Sequence, residues 1–363
     1  MSRLRILALE PYYGGSHRAV LDGLVERVDA DWTLLTLPAR KWKWRMRGAA
    51  ITMAEQAAEK ASVHGHFDLV FASTFLNLAE FRGLAGARLA ATPAIVYFHE
   101  NQLVYPVRHT AEWDMQFPLT NITTALAADR CLFNTQWNLD EFLRAIPGFI
   151  GEFPDHRPAG LAERIANKSS VLHPPFDPAP FDLAPPKRGG VVRIVWPHRW
   201  EHDKNPEAFF RAMARLAAEG LQFEVAVAGQ GFRDVPQVIL DAEDALGGRL
   251  VHLGAPESRE AYAELLASAD LAVSTADNEF FGLAMVEAAY AGCFPLVPDR
   301  LAYPEVYPGS MRYCGKDELV SRVRAAIIDR PAPGAARELA ARYTLDALVP
   351  SYLRVFEQVA SGG

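Results

Sequence analysis

Two successive α/β domains, each built on a parallel Rossmann-like sheet and facing each other across a cleft, form the fold class that the sequence predicts. Three observations predict it. Short, continuously apolar runs alternate with helical patterns along the chain. That alternation is broken once, by a proline-rich stretch near the middle. The length of 363 residues suits two domains of ordinary size, and 50% hydrophobic against 22% charged residues lets each bury a core.

The first array opens with the strand-like run Arg5–Glu10, a Gly-Gly turn, and a helix whose Leu21, Leu24, Val25 and Val28 share one face. Ser16 is placed to cap that helix. Phe67–Ala72, Ala94–Phe98, Arg130–Asn134 and Ser170–His173 read as further strands. Their apolarity is continuous rather than alternating, as expected where both sheet faces are covered. The stretch His173–Gly190 reads as an interdomain linker, rich in proline and closed by two glycines. The pattern then restarts with Val191–Trp196, Phe223–Gly229, Arg249–Gly254, Asp270–Thr275 and Phe294–Pro298. The domain limits are therefore set at 1–180 and 181–345, with 346–363 a C-terminal helix that packs back on the first domain. Ligands of such sheets bind beyond the carboxyl ends of the strands, so the loops that follow the strands are where chemistry is sought.

Charge excludes one class of function. The formal net charge is -7, and residues 1–180 hold 18 Lys+Arg against 19 Asp+Glu, so the molecule as a whole does not attract nucleic acid. A local patch could. The segment Pro38–Ala50 carries Arg40, Lys41, Lys43, Arg45 and Arg47 around Trp42 and Trp44 and has no acidic residue. Its alternation also fits a strand with the two tryptophans on one side and Lys41, Lys43 and Arg45 on the other. The three cysteines form no metal knuckle or disulfide framework and read as buried free thiols in a reducing cytoplasm. The start of the chain runs directly into Pro and Gly, so no secretory leader is expected, and no apolar run is long enough to cross a bilayer.

The second array carries the clearer chemistry. Arg199 and Lys204 occupy a loop between a strand end and a helix, where a guanidinium fork and an ammonium suit a diphosphate. Glu279 stands before a helix that begins near Gly282, and Glu287 lies eight residues further on. One carboxylate ahead of a helix and one along it can accept hydrogen bonds from two sets of ligand hydroxyls, and Gly282 permits close backbone approach. In the first array, Gly14 and Gly15 join a strand to a helix, and His99 lies just past a strand end.

Glu-x7-Glu preceded by Arg-x4-Lys resembles the donor site of the retaining GT-B glycosyltransferases, which use nucleotide-diphosphate sugars. The resemblance implies that Arg199 and Lys204 bind the diphosphate and that Glu287 binds the donor ribose. It implies that Glu279, with the backbone of Phe280, Phe281 and Gly282, contacts the transferred sugar. It further implies that the Gly14–Gly15 loop faces the diphosphate across the cleft and that His99 lies near the reacting sugar. The blocks "YYGGSH", "LPARKWKWR", "YFHENQLVYP", "FPDHRP", "WPHRWEHDKNPE" and "STADNEFFGLAMVEA" are together similar to the tRNA-queuosine mannosyltransferases, from the N-terminus to about Pro308. This narrower resemblance implies GDP-mannose as donor, queuosine in a tRNA anticodon as acceptor, transfer with retention, no metal and no other cofactor, and a cytoplasmic location. In GT-B enzymes the acceptor usually sits on the N-terminal domain, which makes Arg40, Lys41, Trp42, Lys43, Trp44, Arg45 and Arg47 candidates for tRNA contact through phosphates and stacked bases. Two alternatives stay open on sequence alone: a retaining GT-B enzyme with another donor and a non-RNA acceptor, and a catalytically silent tRNA-binding protein.

Overall fold

A computed structural model describes residues 3–106, 113–184, 189–229, 231 and 235–362. The chain forms two compact units, residues 1–175 with 348–363, and residues 176–347.

The first unit contains strands β1 (Leu4–Tyr13), β2 (Ala30–Pro38), β3 (Leu69–Ser73), β4 (Ala94–Phe98), β5 (Arg130–Phe133) and β6 (Ser169–Val171). They form one sheet in the order β2-β1-β3-β4-β5-β6, with every pairing parallel among the described residues. Successive side chains of a strand point to opposite faces, and here both faces are buried. Leu7, Leu9, Val70, Ala72, Val96 and Phe98 enter one core, beneath Ala49, Ala50 and Met53 of the helix Trp42–His64. Ile6, Ala8, Leu69, Phe71, Ile95 and Tyr97 enter the other, with Leu21 and Leu24 of the helix Gly15–Arg27. Tyr352, Phe356 and Val359 of the C-terminal helix Leu345–Ala360 complete that second core.

The second unit contains β7 (Val192–Trp196), β8 (Phe223–Ala228), β9 (Leu250–Gly254), β10 (Leu271–Val273), β11 (Phe294–Pro298) and β12 (Arg312–Tyr313). Their order is β12-β11-β10-β7-β8-β9, the arrangement of a dinucleotide-binding sheet. Ile194, Trp196, Val225, Val227 and Val273 pack against Phe209, Met213 and Leu216 of the helix Pro206–Ala218.

Several expectations are corrected. Arg40–Arg47 is not a strand, because β2 ends at Pro38 and a helix starts at Trp42. The four-residue alternation is overridden by the stripe Met46, Ala49, Ala50, Met53, Ala54 and Ala57, which is buried at helical spacing. Ser16 is not a cap: Gly14 holds that position and Ser16 lies in the first turn. The segment from His173 is only partly a linker. Phe176 is buried, bridges to Thr344 and packs against Phe181 and Tyr290, which draws the unit boundary back to Pro175/Phe176. Pro185–Arg188 of that segment lie outside the described residues. Cys131 and Cys293 are buried free thiols, whereas Cys314 is exposed. No helix among the described residues is long and apolar enough to cross a membrane.

Both sheets have a point at which consecutive connections leave in opposite directions. β1 is flanked by β2 and β3, and β7 by β8 and β10. These are the topological switch points where ligands of open α/β sheets bind.

Candidate active site

At the first switch point, the carboxyl ends of β1 and β4 bring together residues that the sequence keeps far apart. Glu10 lies near the end of β1, is buried, and accepts from the Tyr12 amide at 2.8 Å. The chain then turns through Gly14 and Gly15. A side chain at Gly14 would collide with Ala39, and Gly15 holds a φ of 54°, so both glycines are required by the turn itself. One turn into the helix, the buried His17 sets Nδ1 3.2 Å from Glu10 Oε2 and Nε2 3.7 Å from Glu100 Oε2. His99 follows β4 directly and stacks on His17 with centroids 3.9 Å apart and planes 28° from parallel.

Burial opposes a charge on His17, but Glu10 and Glu100 more than compensate and raise its pKa to about 10. For His99, burial and then the His17 charge act in the same direction, and its pKa is driven well below the ordinary value. The pair thus holds one positive charge, on His17. Among the described residues, the ligand atoms of Glu10, His17 and His99 lie within 4.8 Å of one another, a spacing a metal ion could use. The stacked rings, however, direct their nitrogen lone pairs along near-parallel planes rather than to one point.

This charge has a thermodynamic signature. A folded pKa raised from 6.5 to about 10 gives stability that is complete below pH 6.5 and is lost as pH rises through 10. His198, lowered to about 3 by burial and then by Lys204, acts oppositely: its stability is present above pH 6.5 and is lost as pH falls toward 3. Thermal denaturation across pH 6.5–10 is therefore expected to show a decline that flattens in His17→Gln, and an unchanged decline would contradict a charged His17.

At the second switch point, the loop after β7 passes through Arg199 and reaches Lys204 in a short 3-10 turn. Lys204 is buried. Its ammonium donates to the Asn278 carbonyl at 2.7 Å and lies 3.4 Å from Glu279 Oε2 and 3.1 Å from Asp203 Oδ2. Burial works against that ammonium, yet Glu279 and Asp203 raise its pKa, so it stays charged. Arg199 pairs with Glu201 at 3.2 Å and its side chain remains half exposed. Glu279 Oε1 accepts from the amides of Phe280 at 3.2 Å and Phe281 at 3.5 Å. Phe280 and Phe281 bury their rings, so their backbone is what they can offer a ligand.

Gly282 caps the helix Leu283–Ala291 at a φ of 88°, and a Cβ there would sit 3.0 Å from the Tyr303 ring. Only glycine fits, and the first-turn amides of the helix are left to meet an anion or a polar ligand. Glu287 is buried one turn on and pairs through Oε1 with Arg259, which lies over the rings of Phe181 and Tyr262.

The structure thus joins Lys204 to Glu279 beside the helix start that follows Glu279, while Glu287 is joined to Arg259 instead. His99 and the Gly14–Gly15 turn share the first switch point. Sequence reasoning missed His17, Glu10, Glu100 and Arg259. A carboxylate near the end of the otherwise apolar run "RILALE" is a signal for the first three, because a buried charge needs a partner. Nothing in the sequence marks Arg259 as the partner of Glu287.

The basic segment is now placed as well. Arg40, Lys41, Lys43, Trp44 and Arg47 are exposed, and Arg45 is half-buried with its guanidinium on the Pro38 carbonyl. Trp42 packs on Phe117, with centroids 5.0 Å apart, and Arg47 pairs with Asp114. The Trp44 indole lies along Gly48, with ring carbons 3.0–3.3 Å from where a Cβ would stand, and is 62% exposed.

Comparison with known proteins adds family-level similarity. Residues 5–176 match the family model described as tRNA-queuosine alpha-mannosyltransferase N-terminal, and residues 184–318 match the glycosyl transferases group 1 model. The tRNA-queuosine alpha-mannosyltransferase of Drosophila melanogaster is 38% identical over 331 residues, 88% of this chain and 85% of that protein. A GDP-mannose-dependent alpha-(1-6)-phosphatidylinositol dimannoside mannosyltransferase of Mycobacterium tuberculosis is 28% identical over 142 residues, 39% of this chain and 36% of that protein. Among solved structures, Anabaena HepE in complex with UDP superposes with a TM-score of 0.71 at 15% identity, over 98% of this chain and 100% of that one. Sucrose-phosphate synthase from Thermosynechococcus elongatus gives 0.71 at 13% identity, over 99% and 100%. These structural likenesses show a GT-B fold.

Proposed function

Because this chain belongs to the tRNA-queuosine alpha-mannosyltransferase family, we propose that it moves mannose from GDP-mannose to the cyclopentenediol of queuosine in a tRNA anticodon, with retention at the anomeric carbon. The observation that carries the reading is the extended match to the Drosophila enzyme, which runs through both units. The chain is a glycosyltransferase, and the site geometry supports a role for each residue.

Lys204, Arg199 and the helix start at Gly282 hold the diphosphate and stabilise the charge that develops on it as it leaves. Glu287, oriented by Arg259, accepts from the ribose hydroxyls. Glu279, fixed by Lys204 and two amides, contacts the transferred sugar. The bond from the anomeric carbon to the diphosphate oxygen breaks, and a bond to the acceptor oxygen forms on the same face. The acceptor proton passes to the departing diphosphate. His99 orients the sugar and is not a nucleophile. The scheme needs no metal, and a tRNA acceptor fits a cytoplasmic location. A GDP donor is supported by the Mycobacterium relative, GDP-mannose-dependent by name, whereas HepE was solved with UDP. Calorimetry is expected to give tighter binding of GDP than of UDP; a preference for UDP would overturn the donor assignment.

The acceptor arm rests on the start of the helix Trp42–His64. Exposed cations meet phosphates, and an indole lying flat along Gly48 offers a face to an unpaired base. Removing Arg40, Lys41 and Lys43 together is expected to raise KM for tRNA and to lower the log–log salt slope by about 0.7–0.9 for each phosphate left without its cation. Trp44→Ala is expected to cost about 1–3 kcal/mol of tRNA affinity, with little change in the salt slope. Wild-type tRNA kinetics in both variants would return this surface to a purely structural role.

A further inference from the structure

The His17–His99 stack holds more than a location for His99. Both nitrogens of His17 face carboxylate oxygens, Nδ1 at 3.2 Å from Glu10 and Nε2 at 3.7 Å from Glu100. A neutral imidazole carries one N–H, so it would turn a lone pair toward one of these anions; only the imidazolium presents an N–H to each, hydrogen-bonding Glu10 and pairing through charge with Glu100. Among the described residues no lysine or arginine lines the cavity beside the pair, whose walls include Glu10, Ser73, Tyr97 and His99. His17 is therefore the cation available there to balance the buried Glu10. Its ring packs against Phe75 at 5.3 Å and stacks on His99 at 3.9 Å, and His99 meets Tyr97 edge-on at 4.6 Å. Tyr97 is itself tied down, donating to the Leu172 carbonyl at 2.9 Å. Glu10 from β1 and Glu100 beyond β4 are the charged groups paired with His17, Tyr12 and Tyr97 pack against the two rings, and Ser73 from β3 lines the same cavity.

We infer that His17 is a positioning residue: its imidazolium, held between Glu10 and Glu100 and stacked on His99, keeps the His99 ring uncharged and fixed in one plane. His99 then meets the transferred sugar as a hydrogen-bonding group and not as a cation. This rests on the reading of His99 as the group beside the sugar. The chemistry follows from charge. An anomeric carbon that loses a diphosphate becomes electron-poor, and an imidazolium next to it would raise the energy of that state. Burial first, and then the adjacent His17 charge, disfavour a second proton on His99, while Glu10 and Glu100 leave the pair without net positive charge. The shifts of the two rings in opposite directions agree with this division.

The test is nitrogen-15 NMR of the histidine rings in the full chain, titrated from pH 5 to 10, with rates measured over the same range. His17 is expected to show two protonated nitrogens up to at least pH 8.5, and His99 the one-proton pattern of a neutral ring down to pH 5. In Glu10→Gln, which keeps the ring but removes its main anion, the His17 titration is expected to fall, and in His17→Gln the His99 titration is expected to rise by roughly one unit or more. The acid limb of kcat should rise with it, while KM for the donor stays unchanged. Glu10→Gln guards against a His17→Gln variant that fails to fold. A neutral His17 at pH 7.5, a His99 that charges above pH 6 in the unaltered protein, a His99 titration unmoved in His17→Gln, or a His17 titration unmoved in Glu10→Gln would each overturn the proposal. So would added Zn2+ ligated by both rings, which requires both to be neutral. If the protein transfers no sugar to tRNA, the ring titrations still decide this proposal, and the functional reading alone falls.

Discussion

Lys204→Ala is expected to lower the unfolding free energy by about 3–5 kcal/mol and to abolish detectable GDP binding. The ammonium is buried with Glu279 and Asp203 within 3.4 Å, and it also satisfies the Asn278 carbonyl. Deleting it leaves two carboxylates facing a protein interior without a counter-charge, which costs more than the pair gains by forming. Arg199→Ala should behave differently, because its side chain is 49% exposed. Stability should stay within about 0.5 kcal/mol, while GDP affinity falls by roughly 1.5–3 kcal/mol through loss of one charge-assisted partner. Urea denaturation and calorimetry on the two variants separate these effects. A Lys204→Ala protein of wild-type stability and affinity would remove the diphosphate assignment from this loop.

Turnover should depend most on Glu279 and His99. His99→Ala and Glu279→Gln are each expected to reduce kcat on the order of a hundred- to a thousand-fold, the usual consequence of removing one preorganised polar group from the transition state. GDP affinity should change by less than about tenfold, or roughly 1.4 kcal/mol. Glutamine at 279 keeps an oxygen for the Phe280 and Phe281 amides and loses only the charge that faces Lys204. Single-turnover kinetics with GDP-mannose check both. A variant that turns over at the wild-type rate loses its assigned role, and an inverted anomer in the product would sink retention.

What is legible in the sequence follows from burial. β4 and β11 are buried along nearly their whole length, so their continuous apolar runs stand out and their limits coincide with the expected ones. β2 and β12 escape a sequence reading because they are edge strands: β2 alternates partly exposed residues with few buried ones, and β12 is two residues long. The basic segment suggests the wrong period because its four-residue Lys/Trp alternation is local, while the Met46–Ala57 stripe that decides the helix lies beyond it. In the site, Arg199 with Lys204 and Glu279 with Gly282 are legible because each pair is close in sequence and follows a strand end. His17 and Arg259 are not, because each acts through a partner brought near only by folding: His99 lies on another strand end, and Glu287 on another helix. A residue whose role is to set the charge or orientation of a second residue leaves no spacing to read.

The proposed reaction is the transfer of mannose to queuosine in tRNA. Its most direct test is mass spectrometry of the nucleosides released from queuosine-containing tRNA after incubation with this protein and GDP-mannose, beside reactions without the protein or with tRNA lacking queuosine. Queuosine is expected to be replaced by a nucleoside heavier by one hexose, only when protein, donor and queuosine-tRNA are all present. Unmodified queuosine in the complete reaction, with the hexose delivered instead to a non-RNA hydroxyl compound, would contradict it.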